Sequence, residues 1–173
     1  MMKRLWAPWR MAYITGIGGP KDQGCIFCVK PKQKQDAANR ILLRGKTAFV
    51  MMNIFPYNNG HLMIAPYRHV GDLPRLKDTE LLEMMNLSQT CIKAISACMR
   101  PDGYNLGFNL GRTAGAGIAD HVHLHLVPRW NGDTNFMPVL DGTKVISEAL
   151  DATYEKIKRA LMPNAKGTMK HEQ

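Results

Sequence analysis

Residues 121 to 130 read HVHLHLVPRW, with three histidines at alternate positions and a valine and a leucine between them. A period of two marks a half-buried β-strand, so Val122, Leu124 and Leu126 point to one side and His121, His123 and His125 to the other. Any fold for this chain has to give the first set an apolar layer and the second set a use. Same-face neighbours on a strand stand roughly 6.5–7 Å apart, which suits separate contacts to an extended ligand or contributions to two different sites. Pro128 cannot donate to a sheet ladder, so the strand is expected to stop just before it. The alternative is a solvated strand face. Against it, the chain has only six histidines and half of them fall within these five residues.

The rest of the chain supplies partners for such a strand. RILLRGK and TAFVMMN, either side of Gly45 and Lys46, read as paired strands, and HLMIAP after the loop IFPYNNG reads as a third. From Asp78, DTELLEMMNLSQTCIKAISACM runs without glycine or proline, with Leu81, Met84, Met85, Ile92 and Ile95 as its apolar positions and acidic residues in its first turn. That is the long helix, placed to cover one sheet face. GYNLGFNLG is a fourth strand, GRTAGAGIAD a glycine-rich loop, and the histidine strand the fifth; VISEALDATYEKIKRALM is a C-terminal helix, followed by a frayed tail over 163–173. Strands with a few helices, without strict βαβ alternation, indicate an α+β domain on a mostly antiparallel five-stranded sheet. At 173 residues one domain, 1–173, accommodates everything, with residues 1–38 as an N-terminal segment bearing Cys25-Ile26-Phe27-Cys28.

Composition narrows the setting. No run of about eighteen or more apolar residues exists, and MMKRLWAPWRMAYITG has no continuous apolar signal core, so a cytoplasmic protein is expected. Four cysteines are few for a disulfide scaffold of this length and suit a reducing compartment. The net charge of +9 draws anions, but the basic residues are scattered, and no RNP-type aromatic signature, paired zinc-finger spacing or basic heptad helix is present. A small phosphorylated ligand fits this better than RNA. Imidazole can act as nucleophile or proton donor near neutral pH. Beside it, Gly111, Gly115 and Gly117 let backbone N–H groups approach a phosphate.

These residues resemble the histidine-triad (HIT) family of nucleotide hydrolases and transferases, whose signature is His-x-His-x-His followed by apolar residues. Asn53, the run Asn59-Gly60-His61 ending in Pro66, and Asn109 with Gly111 fall where that family keeps its nucleotide-binding residues, so the likeness spans about residues 40–130. LWAPWR and VPRWNGDTNFMPV look like the branch containing bacterial diadenosine tetraphosphate phosphorylases. The resemblance implies a HIT-like fold and a homodimer whose sheets join. It implies that His123 attacks the α-phosphorus to form a nucleotidyl-histidine, and that His125 sits on the phosphates and assists the leaving group. His61 would approach the same phosphate, Asn53 hold the ribose hydroxyls and Asn109 orient the phosphate, with no catalytic metal. The substrate would be a dinucleoside polyphosphate, cleaved by hydrolysis or by phosphorolysis; a nucleotide-binding regulator with little turnover is the rival reading. One departure stands out. Where many members have Gly-Gln-Ser or Gly-Gln-Thr, this chain has Gly115-Ala116-Gly117-Ile118 with one extra residue, so a backbone contact has to replace a side-chain contact to the scissile phosphate.

A lone C-x-x-C signals either zinc or redox chemistry only weakly. A thioredoxin-type motif would continue into an amphipathic helix, whereas VKPKQKQDA follows here. With the phosphate roles assigned by resemblance, His69 and His121 are left over, apart from His171 in the tail. Zinc-bearing family members use two cysteines, an upstream histidine and the first triad histidine, which implies a structural zinc on Cys25, Cys28, His69 and His121. Cys91 and Cys98, seven apart on the long helix, are expected to be core packing. Trp6, Trp9 and Trp130 are assigned to core or subunit contacts.

Overall fold

The computed structural model describes residues 24–134 and 145–162. LWAPWR, the stretch 135–139 of NFMPV and the tail with His171 lie outside them. After a one-turn helix α1 (Ile26–Val29), a short 3-10 turn and a second single turn α2 (Asp36–Asn39), come the strands β1 (Ile41–Arg44), β2 (Ala48–Met52) and β3 (Leu62–Pro66). The long helix α3 (Asp78–Met99) follows, then β4 (Gly103–Phe108), β5 (Leu124–Arg129) and the C-terminal helix α4 (Leu150–Leu161). The five strands form one sheet in the order β1-β2-β3-β5-β4, antiparallel throughout.

Strands β2 and β3 are buried at every position, which explains why AFVMM and LMIAP are continuous apolar runs and not alternating ones. One face carries Val50, Met52, Leu62, Ile64, Leu124 and Leu126 against Met84, Cys91 and Ile95 of α3 and Tyr154 and Ile157 of α4. The opposite face carries Ile41, Phe49, Met51, Met63 and Ala65 against Phe27 of α1. Val122 joins the first layer, so the sidedness of the triad is as the alternation requires.

Helix α3 opens where Glu80 accepts the Lys77 backbone N–H at 2.9 Å and pairs with Arg68 at 2.6 Å. It closes at Arg100, in the left-handed region at φ 49°, ahead of Pro101. Met84, Ser88, Cys91 and Ile95 form its buried stripe, and Cys98 packs at the margin. Met85, expected on the apolar side, is 47% exposed, because one further step of about 100° carries it off that stripe. The hairpin between β1 and β2 is tied to α3 by Glu83, whose carboxylate accepts the backbone N–H groups of Lys46 (2.7 Å), Thr47 and Ala48 (2.9 Å) and the Thr47 hydroxyl (2.5 Å). Burial alone would raise its pKa; these four donors outweigh it and hold the carboxyl at about 2.

Several boundaries differ from the sequence reading, among them the end of β4, which stops at Phe108 and not at Gly111. The C-terminal helix starts at Leu150, since Glu148 spends its carboxylate on Thr153 (2.7 Å) and Lys156 (2.5 Å) from a non-helical position. Strand β5 starts at Leu124, where its ladders to β3 and β4 both begin. It also continues through Pro128 to Arg129. The Pro128 carbonyl accepts from Asn58 Nδ2 (3.0 Å), while the Arg129 carbonyl accepts from Asp102 N–H (2.8 Å) on the β4 side. Pro128 therefore turns its nitrogen away from β4, on the flank where β3 pairing has already ended at Leu126, and no ladder bond is lost.

Candidate active site

The loop joining β2 to β3 is held by its own asparagines, whose short amides reach nearby backbone. Asn53 Oδ1 accepts the Phe55 N–H at 2.9 Å, and Asn58 Nδ2 donates to the Pro128 carbonyl and to Asp133. Gly60 sits at φ 72°, a conformation other residues rarely adopt, and turns the chain into β3. His61 thereby arrives fully buried, with Nε2 2.8 Å from His125 Nδ1. His123, just before β5, and His125 on it have their rings edge to face with centroids 4.7 Å apart. The structure therefore brings His61, His123 and His125 into one cluster.

Burial disfavours charge on all three rings. It lowers the pKa of His61 to about 3, with help from His125 and His123, and that of His125 to about 4, with help from His123. Burial lowers His123 too, against the raising effect of its bond to the His121 backbone. That bond assigns the proton. His123 Nδ1 lies 2.8 Å from the His121 carbonyl oxygen, which can only accept, so Nδ1 carries the hydrogen and Nε2 the lone pair.

The nucleotide-site residues of the sequence reading lie around this cluster. The Asn109 amide is 3.1 Å from Tyr57 Oη and 3.4 Å from His125 Nε2, and Asn53 Nδ2 is 3.4 Å from His61 Nδ1. Gly111 and Gly115 adopt left-handed φ of 80° and 91° around a 3-10 turn, and a Cβ on Gly115 would stand 3.7 Å from Asn109 Nδ2. Their backbone is partly engaged inside the loop. Gly115 N–H donates to the Arg112 carbonyl (2.9 Å), and the Gly111 carbonyl accepts from Ala116 (3.3 Å). Gly117 has no positive φ, and its Cβ position faces open space.

His121 stands apart from its two neighbours. It precedes β5, and its Nε2 lies 2.9 Å from the Pro66 carbonyl, which fixes the proton on Nε2 and leaves the Nδ1 lone pair free. That nitrogen faces Cys25 Sγ (3.3 Å), Cys28 Sγ (3.5 Å) and His69 Nδ1 (3.3 Å), and Cys28 Sγ is 3.4 Å from His69 Nδ1. All four ligand atoms lie within 4.8 Å of one another. A tetrahedron with Zn–N of about 2.0–2.1 Å and Zn–S of about 2.3 Å has edges of about 3.3–3.8 Å; the four separations of 3.3–3.5 Å fit such edges, and the two-sulfur, two-imidazole donor set fits zinc in chemistry. Cys28 sits on a single helical turn, not on an amphipathic helix.

Two residues were missed from sequence. Phe27, fully buried between the cysteines, places its ring 5.1 Å from that of His121 and 4.7 Å from that of His123, joining the two clusters. Tyr57 lies over His61 (4.5 Å) and stacks on His125 (5.4 Å), and it lines a cleft of about 290 Å³ with Asn58, Asn105, Val127, Arg129 and Thr134. Their signals were slight: an aromatic inside the C-x-x-C, and one within a Pro/Asn loop. Trp130 borders a separate polar cleft near Lys156.

A five-stranded antiparallel sheet that presents alternate histidines beside a glycine loop defines a histidine-triad domain. The HIT domain family matches residues 34–132, and the chain belongs to that family. It is 40% identical over 158 residues to the AP-4-A phosphorylase of Mycobacterium tuberculosis, spanning 88% of this chain and 80% of that protein. It is 32% identical over 123 residues to an adenosine 5'-monophosphoramidase of Saccharomyces cerevisiae, spanning 71% and 73% respectively. A Zn-bound histidine triad family protein from Mycobacterium smegmatis shares the fold with a TM-score of 0.64 at 24% identity, over 80% of this chain and 93% of that one.

Proposed function

We propose that this protein is an enzyme that cleaves dinucleoside polyphosphates of the diadenosine tetraphosphate type through a nucleotidyl-His123 intermediate. The observation that carries the reading is the His123 Nδ1 bond to the His121 carbonyl, which leaves Nε2 as an uncharged nucleophile next to His125. The Nε2 lone pair forms a bond to the α-phosphorus, the bond from that phosphorus to the bridging oxygen breaks, and that oxygen leaves with the electron pair as a nucleoside phosphate anion that accepts a hydrogen bond from His125 Nε2–H. An acceptor then attacks the phosphorus and releases His123. Asn109 and the loop of Gly111, Gly115 and Gly117 orient the phosphate, and Asn53 contacts the ribose. The 40% identity to an AP-4-A phosphorylase favours inorganic phosphate as the acceptor over water.

Cys25, Cys28, His69 and His121 would hold a structural zinc, which when bound ties α1 to the start of β5 and takes no part in the reaction. A homodimer joined at the sheet edge is supported by β4, which ends the strand order and exposes Leu106, near Leu110, at 40% and 47%. The four free cysteines suit a cytoplasmic setting, and no helix among the described residues is long and apolar enough to cross a membrane.

Product analysis tests the reading. Diadenosine tetraphosphate with inorganic phosphate should give ADP plus ATP, and without phosphate AMP plus ATP or a stalled nucleotidyl-enzyme. An alkaline quench preserves a phosphoramidate, so label is expected on His123; label on His125, or full activity in His123→Ala, refutes the mechanism.

A further inference from the structure

His125 can donate a hydrogen bond to a leaving oxygen only if its own proton sits on Nε2, and the hydrogen bonds behind it decide whether it does. The Tyr57 backbone N–H points at His61 Nδ1 at 3.0 Å. A backbone N–H can only donate, so His61 Nδ1 carries a lone pair. Asn53 adds a second donor to the same atom: its Oδ1 is committed to the Phe55 N–H at 2.9 Å, which turns Nδ2 toward His61 Nδ1 at 3.4 Å. An imidazole without a proton on Nδ1 carries it on Nε2. His61 Nε2 lies 2.8 Å from His125 Nδ1, which must therefore accept, and His125 in turn keeps its proton on Nε2.

We infer that Asn53 and the Tyr57 backbone amide are positioning groups that act through His61 to hold His125 as an Nε2–H donor. This rests on the function proposed above and deepens it by giving Asn53 a second task beside the ribose contact. The structure places Asn109 Nδ2 3.1 Å from the Tyr57 hydroxyl and 3.4 Å from His125 Nε2, so the inference requires this amide to be turned end for end, with Oδ1 accepting from both. A side-chain amide can turn end for end; the backbone N–H of Tyr57 cannot, so the backbone sets the chain of protons. Neighbouring triad rings thus hold opposite tautomers. His123 presents a lone pair at Nε2 and His125 a proton at Nε2, the pair of states that attack and departure require. Burial keeps the His125 ring neutral, so its Nε2–H acts as a hydrogen-bond donor to the departing oxygen.

The direct experiment is a long-range proton–nitrogen correlation spectrum of the full chain labelled with 15N at histidine, at neutral pH without substrate. His61 and His125 should each show a pyridine-type Nδ1 and a pyrrole-type Nε2, and His123 the reverse. A proton on Nδ1 of His125 overturns the inference. Asn53→Ala provides the second arm. Removing one of two donors should lower kcat for diadenosine tetraphosphate about five- to tenfold more than kcat for the 4-nitrophenyl ester of AMP, whose leaving group needs no hydrogen-bond donor. If Asn53 serves the ribose alone, KM rises equally for both substrates, kcat is unchanged and the His125 nitrogen signals do not move; that result refutes the positioning role. If Asn53→Ala does not fold, the wild-type spectrum decides. If the wild type turns over neither substrate, the proposed function fails, while the proton assignment still stands or falls on the spectrum.

Discussion

Phe27→Ala is the perturbation that most sharply separates packing from chemistry in this protein. The ring is fully buried among Ile41, Phe49, Met51, Met63 and Ala65 and lies within about one ring diameter of both His121 and His123. Truncating a buried Phe costs about 3–5 kcal/mol, the transfer free energy of the lost atoms plus a cavity term. This face of the sheet is covered by the single turn α1, which can settle into the gap, so the lower end, about 3 kcal/mol, is expected. Against a typical domain stability of about 5–15 kcal/mol the variant should still fold. Phe27→Leu retains most of the volume and should cost about 1 kcal/mol. Urea unfolding of wild type and both variants, at equal zinc and again with chelator, measures these costs. Without metal the two clusters are no longer joined through α1, so the Phe27→Ala cost should shrink under chelator. A cost below 1 kcal/mol for Phe27→Ala with zinc present and an unchanged m-value would refute the packing argument, since it would mean that the ring contributes nothing to holding α1 on the sheet.

Glu83→Gln should destabilise by about 1–3 kcal/mol at pH 7, because the amide opposes some of the three backbone N–H groups that the carboxylate accepts. Its folded pKa of about 2 lies below the ordinary 4.5, so the ionised form stabilises above pH 4.5 and that gain is lost as pH falls toward 2. The difference between wild type and Glu83→Gln in thermal melts should narrow over that window; a constant difference would count against the assignment. Cys28→Ser should abolish bound zinc as read by elemental analysis and lower the melting temperature, and a full zinc complement in the variant contradicts the four-ligand site. His123→Ala should bind AMP within a few-fold of wild type by calorimetry while losing nearly all turnover, because a nucleophile contributes mainly in the transition state.

The sheet, the two longer helices and the shared side of His123 and His125 were legible in the sequence because each rests on a local pattern: continuous apolar runs, a helix without Gly or Pro, alternation at 121–126; that His61 joins them was legible only through the family resemblance. The metal cluster was legible only through likeness to known proteins, since Cys25, Cys28, His69 and His121 come from three separate stretches. Glu83 was not legible at all. An acidic residue at position 83 looks like solvated helix surface, and what singles it out is the β1–β2 turn arriving beneath it, so close that a Cβ on Gly45 would meet its carboxylate at 2.6 Å. Phe27 and Tyr57 were hidden for the same reason, because their importance lies in the ring each covers and not in their neighbours along the chain.

The late start of β5 has a chemical consequence. Had the strand begun at His121, that residue's carbonyl would have been available to the sheet ladder and contested by it. Instead, Val122 makes a single bond to the Val70 carbonyl (2.7 Å) and the ladder starts at Leu124, leaving the His121 carbonyl to accept from His123 Nδ1. Alternation alone would give three equivalent rings. What divides them is the partner behind each: the Pro66 carbonyl turns His121 toward the cysteines, the His121 carbonyl sets His123 as nucleophile, and His61 sets His125 as donor. The period of two places the rings, and the interruption of the ladder before Leu124 lets one of them direct the next.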